Sequence, residues 1–127
     1  LHEKPELAAR FRNRGIAIEL CPSSNREVVG YHDPAVPESA GQPAYPLPAL
    51  LDAGLPLTLC TDNPGISRTT LADEYLAAAR MSAGGLSRWQ ALALIRQGFV
   101  HAFLPADERE RLLKAADRAV REQAAGP

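Results

Sequence analysis

Histidine is scarce in this chain: His2, His32 and His101 are the only three among 127 residues. No two of them stand at the spacing of a metal-binding pair, so the sequence alone gives no histidine-based metal site. Cysteine is scarcer still. Cys21 and Cys60 belong to no ligand-spaced cluster and close two apolar runs, which favours reduced thiols acting as small core hydrophobes over a disulfide or a metal role. A serine nucleophile would need a G-x-S-x-G elbow, which is absent, and Gly84-Gly85 lacks the strand and helix frame of a phosphate loop. Charge of one sign is missing too. With 14 basic and 15 acidic residues, a net charge of -1 and a pI near 6.3, the chain carries no electrostatic footprint for nucleic acid or anionic membrane. Arg10, Arg12 and Arg14 read as a solvated helix end. No apolar run approaches the roughly 20 residues of a membrane span, and no signal-peptide pattern opens the chain, so a cytoplasmic protein is expected.

What the chain does contain is 46% hydrophobic residues, enough for a packed core at the size of one ordinary domain. Residues 5–14 read as a helix opened by Pro5 and stopped by Gly15. Ile16 to Leu20 reads as a strand, with Ile16, Ile18 and Leu20 on one face and Ala17, Glu19 and Cys21 on the other. A proline-rich connection from Arg26 to Pro46 shows no periodicity, the mark of a functional or disordered loop. A short helix over 47–53 ends at Gly54, and Leu57 onwards reads as a second strand. Alternation of helix and strand implies a parallel sheet. Beyond a glycine-containing loop over 65–69, Thr70 with Asp73 and Ser87 with Gln90 form capping pairs for helices over 71–81 and from Trp89 onward. Trp89, Leu92, Ile95 and Phe99 make the apolar stripe of the second of these, with Trp89 and Phe99 in the core. A last helix begins at Pro105, with Leu112, Leu113, Ala116 and Val120 as its buried stripe, and 124–127 should fray.

The stretch with chemistry is Thr61-Asp62-Asn63-Pro64, which follows the second strand without a spacer. In parallel sheets the functional groups gather at the carboxyl ends of the strands. If 57–62 is extended throughout, Thr58, Cys60 and Asp62 share one face, with Asp62 at its mouth. The other reading is that Asp62 and Asn63 close an Asx turn before Pro64. The residues by themselves leave both open.

The chain also resembles a known family. Gly15-Ile16-Ala17-Ile18-Glu19-Leu20-Cys21-Pro22-Ser23-Ser24-Asn25, Pro46-Leu47, Leu50 to Gly54, Leu59-Cys60-Thr61-Asp62-Asn63-Pro64, Thr69 to Tyr75 and Phe103-Leu104-Pro105, in that order, closely resemble the C-terminal part of adenosine deaminase. The resemblance implies an α/β fold, the C-terminal portion of a TIM (β/α)8 barrel with two parallel strands and closing helices. It further implies zinc-dependent hydrolytic removal of the 6-amino group of adenosine or a related adenine-containing compound. Asp62 matches the family's zinc-ligating aspartate at the end of the last strand. Asn63 stands where most members carry a second aspartate that hydrogen-bonds N7 of the purine, and its amide can donate to that acceptor directly. Ser23, Ser24 and Asn25 are candidate pocket lining. No catalytic acid or base matches within the segment, and the family's histidine ligands and catalytic glutamate are expected upstream. Residues 1–127 thus read as the C-terminal segment of a single barrel domain, incomplete and inactive by itself, with a C-terminal helix over 103–127. A barrel needs about 250 residues, so the expected partners are the purine substrate and the remainder of the barrel. The competing possibility is a non-catalytic half-barrel interaction module without a metal site.

Overall fold

The computed structural model describes residues 4–125, which leaves His2 and the final Gly126-Pro127 outside it. Helix α1 (Pro5–Asn13) begins with the proline at its first turn and ends before Gly15, whose positive φ of 61° turns the chain into the first strand. Strand β1 (Ile18–Leu20) is shorter than the alternating run suggests, and it pairs in parallel with β2 (Leu57–Leu59) in the register Ile18 to Leu57, Glu19 to Thr58 and Leu20 to Leu59. These two strands form the sheet of the described residues. Between them run α2 (Pro22–Asn25) and α3 (Leu47–Asp52), so the alternation of helix and parallel strand expected from the sequence is observed.

The sheet faces differ as the pattern requires. Leu20, Leu57 and Leu59 are buried in a core with Ala8, Leu47 and Leu50, while Glu19, Thr58 and Cys60 face the other way. Burying a leucine contributes roughly 1.5–3 kcal/mol, which makes this face the main anchor of the short sheet. On the other face a cavity of about 870 Å³ is walled by Glu19, Thr58, Cys60, Tyr75, Phe99 and His101 among others.

The connection from Arg26 to Pro46 is ordered rather than formless, because it is built around one buried acid. Asp33 has no exposed surface and accepts Nε and Nη2 of Arg80 at 2.6 and 2.7 Å, Nη1 of Arg26 at 2.9 Å and the Ala35 amide at 3.0 Å. The Ser39 hydroxyl donates to the Asp33 carbonyl, and His32 sets its Nδ1 3.2 Å from the Ser39 carbonyl, which gives that histidine a structural role. Tyr45, from the proline-rich end, is buried and stacks edge-on against Tyr31 with centroids 5.2 Å apart.

Helices α5 (Leu71–Met81) and α6 (Arg88–Val100) both open on complete capping boxes, at Thr70 with Asp73 and at Ser87 with Gln90. Helix α7 (Ala106–Ala124) starts after Pro105, so Phe103-Leu104 belong to the connection rather than to the helix, and Arg96 ties it to α6 by donating to Asp117 at 2.8 Å. Two expectations fail here. Trp89 is 66% and Ile95 38% exposed and Phe99 is only half-buried, because Leu94 takes the buried position of α6, and the Leu112 stripe of α7 is likewise only half-buried. No helix among the described residues is long and apolar enough to cross a membrane.

Candidate active site

Strand β2 ends at Leu59, three residues short of Asp62, and the backbone there is not extended. Asp62 adopts φ 55°, a left-handed conformation that aspartate tolerates better than most residues. Asp62 therefore does not share the Thr58 and Cys60 face that alternation predicts, because the chain turns before it arrives. The turn is continued by Asn63, whose side-chain oxygen accepts from the Ile66 amide at 3.4 Å and caps the short helix α4 (Pro64–Ser67) where a loop was expected. Arg68 then closes α4 with a second left-handed residue at φ 48°.

Asp62 is exposed, and its Oδ2 accepts the Ser24 hydroxyl at 2.8 Å across the two strand ends. Of the three candidate pocket residues, Ser24 thus meets Asp62, whereas the other two turn elsewhere. The Asn25 side-chain oxygen accepts the Cys21 amide at 3.2 Å and the Tyr45 hydroxyl at 3.0 Å. Ser23 gives its amide, at 2.9 Å, and its hydroxyl to Glu74. Glu74 is completely buried on α5 and also accepts the Thr69 hydroxyl at 2.7 Å. Sequence reasoning passed over Glu74. A signal was there, since Glu74, Ala77, Ala78 and Met81 all lie on the buried face at helical spacing, and a carboxyl on an apolar stripe asks for a partner.

The thiols beside this site are quiet. Burial pushes Cys21 up to about 11, with Cys60, Asp62, Glu74 and Glu19 adding negative potential, and burial also raises Cys60. Both are free and half-buried. Among the described residues no group of three or more His, Cys, Asp or Glu side chains converges to hold a metal. Asp62 fits as a single carboxylate ligand, exposed and with its second oxygen free of hydrogen bonds to described residues, and other ligands would have to come from elsewhere. His101 caps α6 and lines the large cavity, of which Asp62 and Asn63 form no part.

The sequence profile of the family described as adenosine deaminase matches residues 1–119. The chain belongs to the adenosine deaminase family. It is 35% identical over 113 residues to an adenine deaminase of Sinorhizobium medicae, covering 89% of this chain and 32% of that protein. An adenosine deaminase-like protein of Drosophila melanogaster is 35% identical over 114 residues, covering 90% of this chain and 30% of its own length. The structure of the N6-methyl-AMP deaminase from Arabidopsis thaliana superposes with a TM-score of 0.69 at 29% identity, over 94% of this chain and 32% of that one. Arabidopsis ADAL complexed with IMP gives the same TM-score, 0.69, at 28% identity and the same coverage of 94% and 32%. This deaminase-family chain therefore spans about a third of the length of the relatives it matches. Its fold is the C-terminal α/β portion of their TIM barrel, as the sequence implied.

Proposed function

We propose that this chain forms the Asp62 wall of a zinc-dependent deaminase that removes the 6-amino group of an adenine-containing compound, and that residues 1–127 are the C-terminal segment of its barrel domain. The observation that carries this is the placement of Asp62 just beyond the carboxyl end of β2, turned out of the strand by a left-handed backbone and steadied by Ser24 from the neighbouring strand end. The names of the relatives support the chemistry, since an adenine deaminase and an N6-methyl-AMP deaminase both act at an amine on a purine ring.

Asp62 would hold one coordination position of a zinc ion, whose chemistry there would be to lower the pKa of a water from about 15.7 to about 7. Ser24 has the complementary task. By donating to Oδ2 it restricts carboxylate rotation and leaves Oδ1 to bind. Asn63 serves as base reader. Because its Oδ1 caps Ile66, the amide is oriented with Nδ2 free of described partners, a neutral donor suited to a purine acceptor nitrogen. The chain by itself offers one carboxylate and is inactive; further ligands and the proton-transfer groups belong to the remainder of the barrel. That remainder has apolar surface to cover here, including Phe103 at 98% exposure and Ile66 at 80%.

The test is Asp62→Ala in the whole protein that carries this chain. Loss of stoichiometric zinc together with loss of ammonia release from adenine-containing compounds is expected. Zinc retained at wild-type stoichiometry, or a wild type with neither zinc nor turnover, refutes the assignment, and the latter result points to the interaction module instead.

A further inference from the structure

We infer that Glu74 is a positioning residue for Asp62, its buried carboxyl clamping together the two strand-end segments that present the Asp62 carboxylate. The inference rests on the proposed role of Asp62 as a metal ligand.

Three bonds carry it. The Ser23 amide at 2.9 Å, the Ser23 hydroxyl and the Thr69 hydroxyl at 2.7 Å all donate to the one carboxyl of Glu74. Ser23 belongs to α2, the turn after β1, and Thr69 closes the segment that leaves β2 through Asp62. Glu74 thus ties the turn after β1 to the far end of the segment that leaves β2. The two segments also meet where Ser24, the residue after Ser23 in the same helical turn, donates to Asp62 at 2.8 Å. Asp62 and Arg68 are the only non-glycine residues with positive φ among those described, and such conformations persist only where the surroundings hold them. The segment between them is exposed, so hydrogen bonds do the holding: the Asn63 cap of α4 within it, the Ser24 hydroxyl donating to Asp62 at one end and the Thr69 hydroxyl donating to Glu74 just past the other.

Packing does not explain the carboxyl. Its neighbours on the buried face are Ala77, Ala78 and Met81, and among the described residues no lysine or arginine pairs with it. A leucine would fill the stripe at lower desolvation cost. What a leucine would lose is the link between the two segments.

The experiment compares zinc affinity, by chelator competition, in the wild type and in Glu74→Gln, Ser23→Ala and Asp62→Ala, each in the whole protein and each checked for folding by circular dichroism. Glu74→Gln keeps the volume and one acceptor oxygen but sets its NH2 group against either the Ser23 amide or the Ser23 and Thr69 hydroxyls, so the three bonds can no longer all be accepted as they stand. The expected result is zinc binding weakened about 10–100-fold, the range seen when partners of metal ligands are removed, with Ser23→Ala weaker in the same direction. Amide exchange should rise at 21–25 and 60–63 and stay unchanged in α7. A folded Glu74→Gln with zinc affinity within about twofold of wild type overturns the inference; should Glu74→Gln not fold, Ser23→Ala decides by the same criterion. Asp62→Ala separates the two ideas. If it loses zinc while Glu74→Gln and Ser23→Ala keep it, only the positioning role falls; if it keeps zinc, the functional assignment beneath it falls.

Discussion

Replacing Asp33 by asparagine probes the bond set that orders the long connection between the strands. Asp33 has no exposed surface, and three of the four hydrogen bonds to its carboxyl come from guanidinium groups, two from Arg80 and one from Arg26. Removing one partner of a fully buried ion pair costs about 3–5 kcal/mol. The figure must be lowered here, because the Arg80 and Arg26 side chains are 39% and 20% exposed and can turn to water once unpaired. Asparagine also retains one acceptor oxygen, so a loss of about 2–3 kcal/mol at neutral pH is expected from urea unfolding. The pH dependence follows from the direction of the shift. The Arg80 guanidinium, opposed by burial and aided by the Ala35 amide and Arg26, holds the Asp33 carboxyl far below its ordinary 3.8. With the folded pKa depressed, the unfolded chain takes up the proton first as pH falls. The stabilisation is therefore complete well above 3.8 and is lost progressively below it. The gap between wild type and Asp33→Asn should be constant from pH 5 to 8 and shrink by about 1 kcal/mol by pH 3. A gap below about 0.5 kcal/mol at pH 7, or one that does not narrow on acidification, refutes the reasoning.

Thr70→Ala removes the hydroxyl that accepts the Asp73 amide in the α5 capping box, and a loss of about 1 kcal/mol in thermal or urea unfolding is expected. Arg96→Ala should matter less, under about 1 kcal/mol and less still in high salt, because its pair with Asp117 is exposed, with side chains at 46% and 31%. Cys21, pushed up to about 11, should react with thiol reagents at pH 8 far more slowly than an unfolded cysteine, and the two rates should converge in denaturant.

Local rules served best where the residues satisfy one another within a turn. Thr70 with Asp73 and Ser87 with Gln90 are complete boxes because the pairing needs only a spacing of three along the chain. Apolar runs also gave the parallel strands, although the ladder is three residues long in each, since the pattern marks burial rather than pairing. Long-range satisfaction was invisible. Nothing near Asp33 in sequence names Arg80, 47 residues away, and so the connection looked formless. Trp89 fails for a related reason: apolar character qualified it for the stripe, but the face of α6 that meets β2 is set by tertiary packing, which selected Leu94.

Asp62 shows how two readings of one sequence need not compete. An Asx turn and a strand-end ligand are alternatives only if the turn uses up the polar side chains. The turn is real: Asn63 caps α4 and Asp62 leaves the extended region. Yet the cap occupies only the oxygen of Asn63, and leaving the extended region takes Asp62 off the Thr58 and Cys60 face and brings it within 2.8 Å of Ser24. A straight strand would have carried the carboxylate along the sheet face; the turn instead lifts it to the rim, where the proposed metal role needs it. The aspartate side chain suits both demands, since few other residues combine tolerance of a left-handed backbone with a short, charged oxygen ligand. Turn propensity at a strand end is therefore weak grounds for discounting a site there.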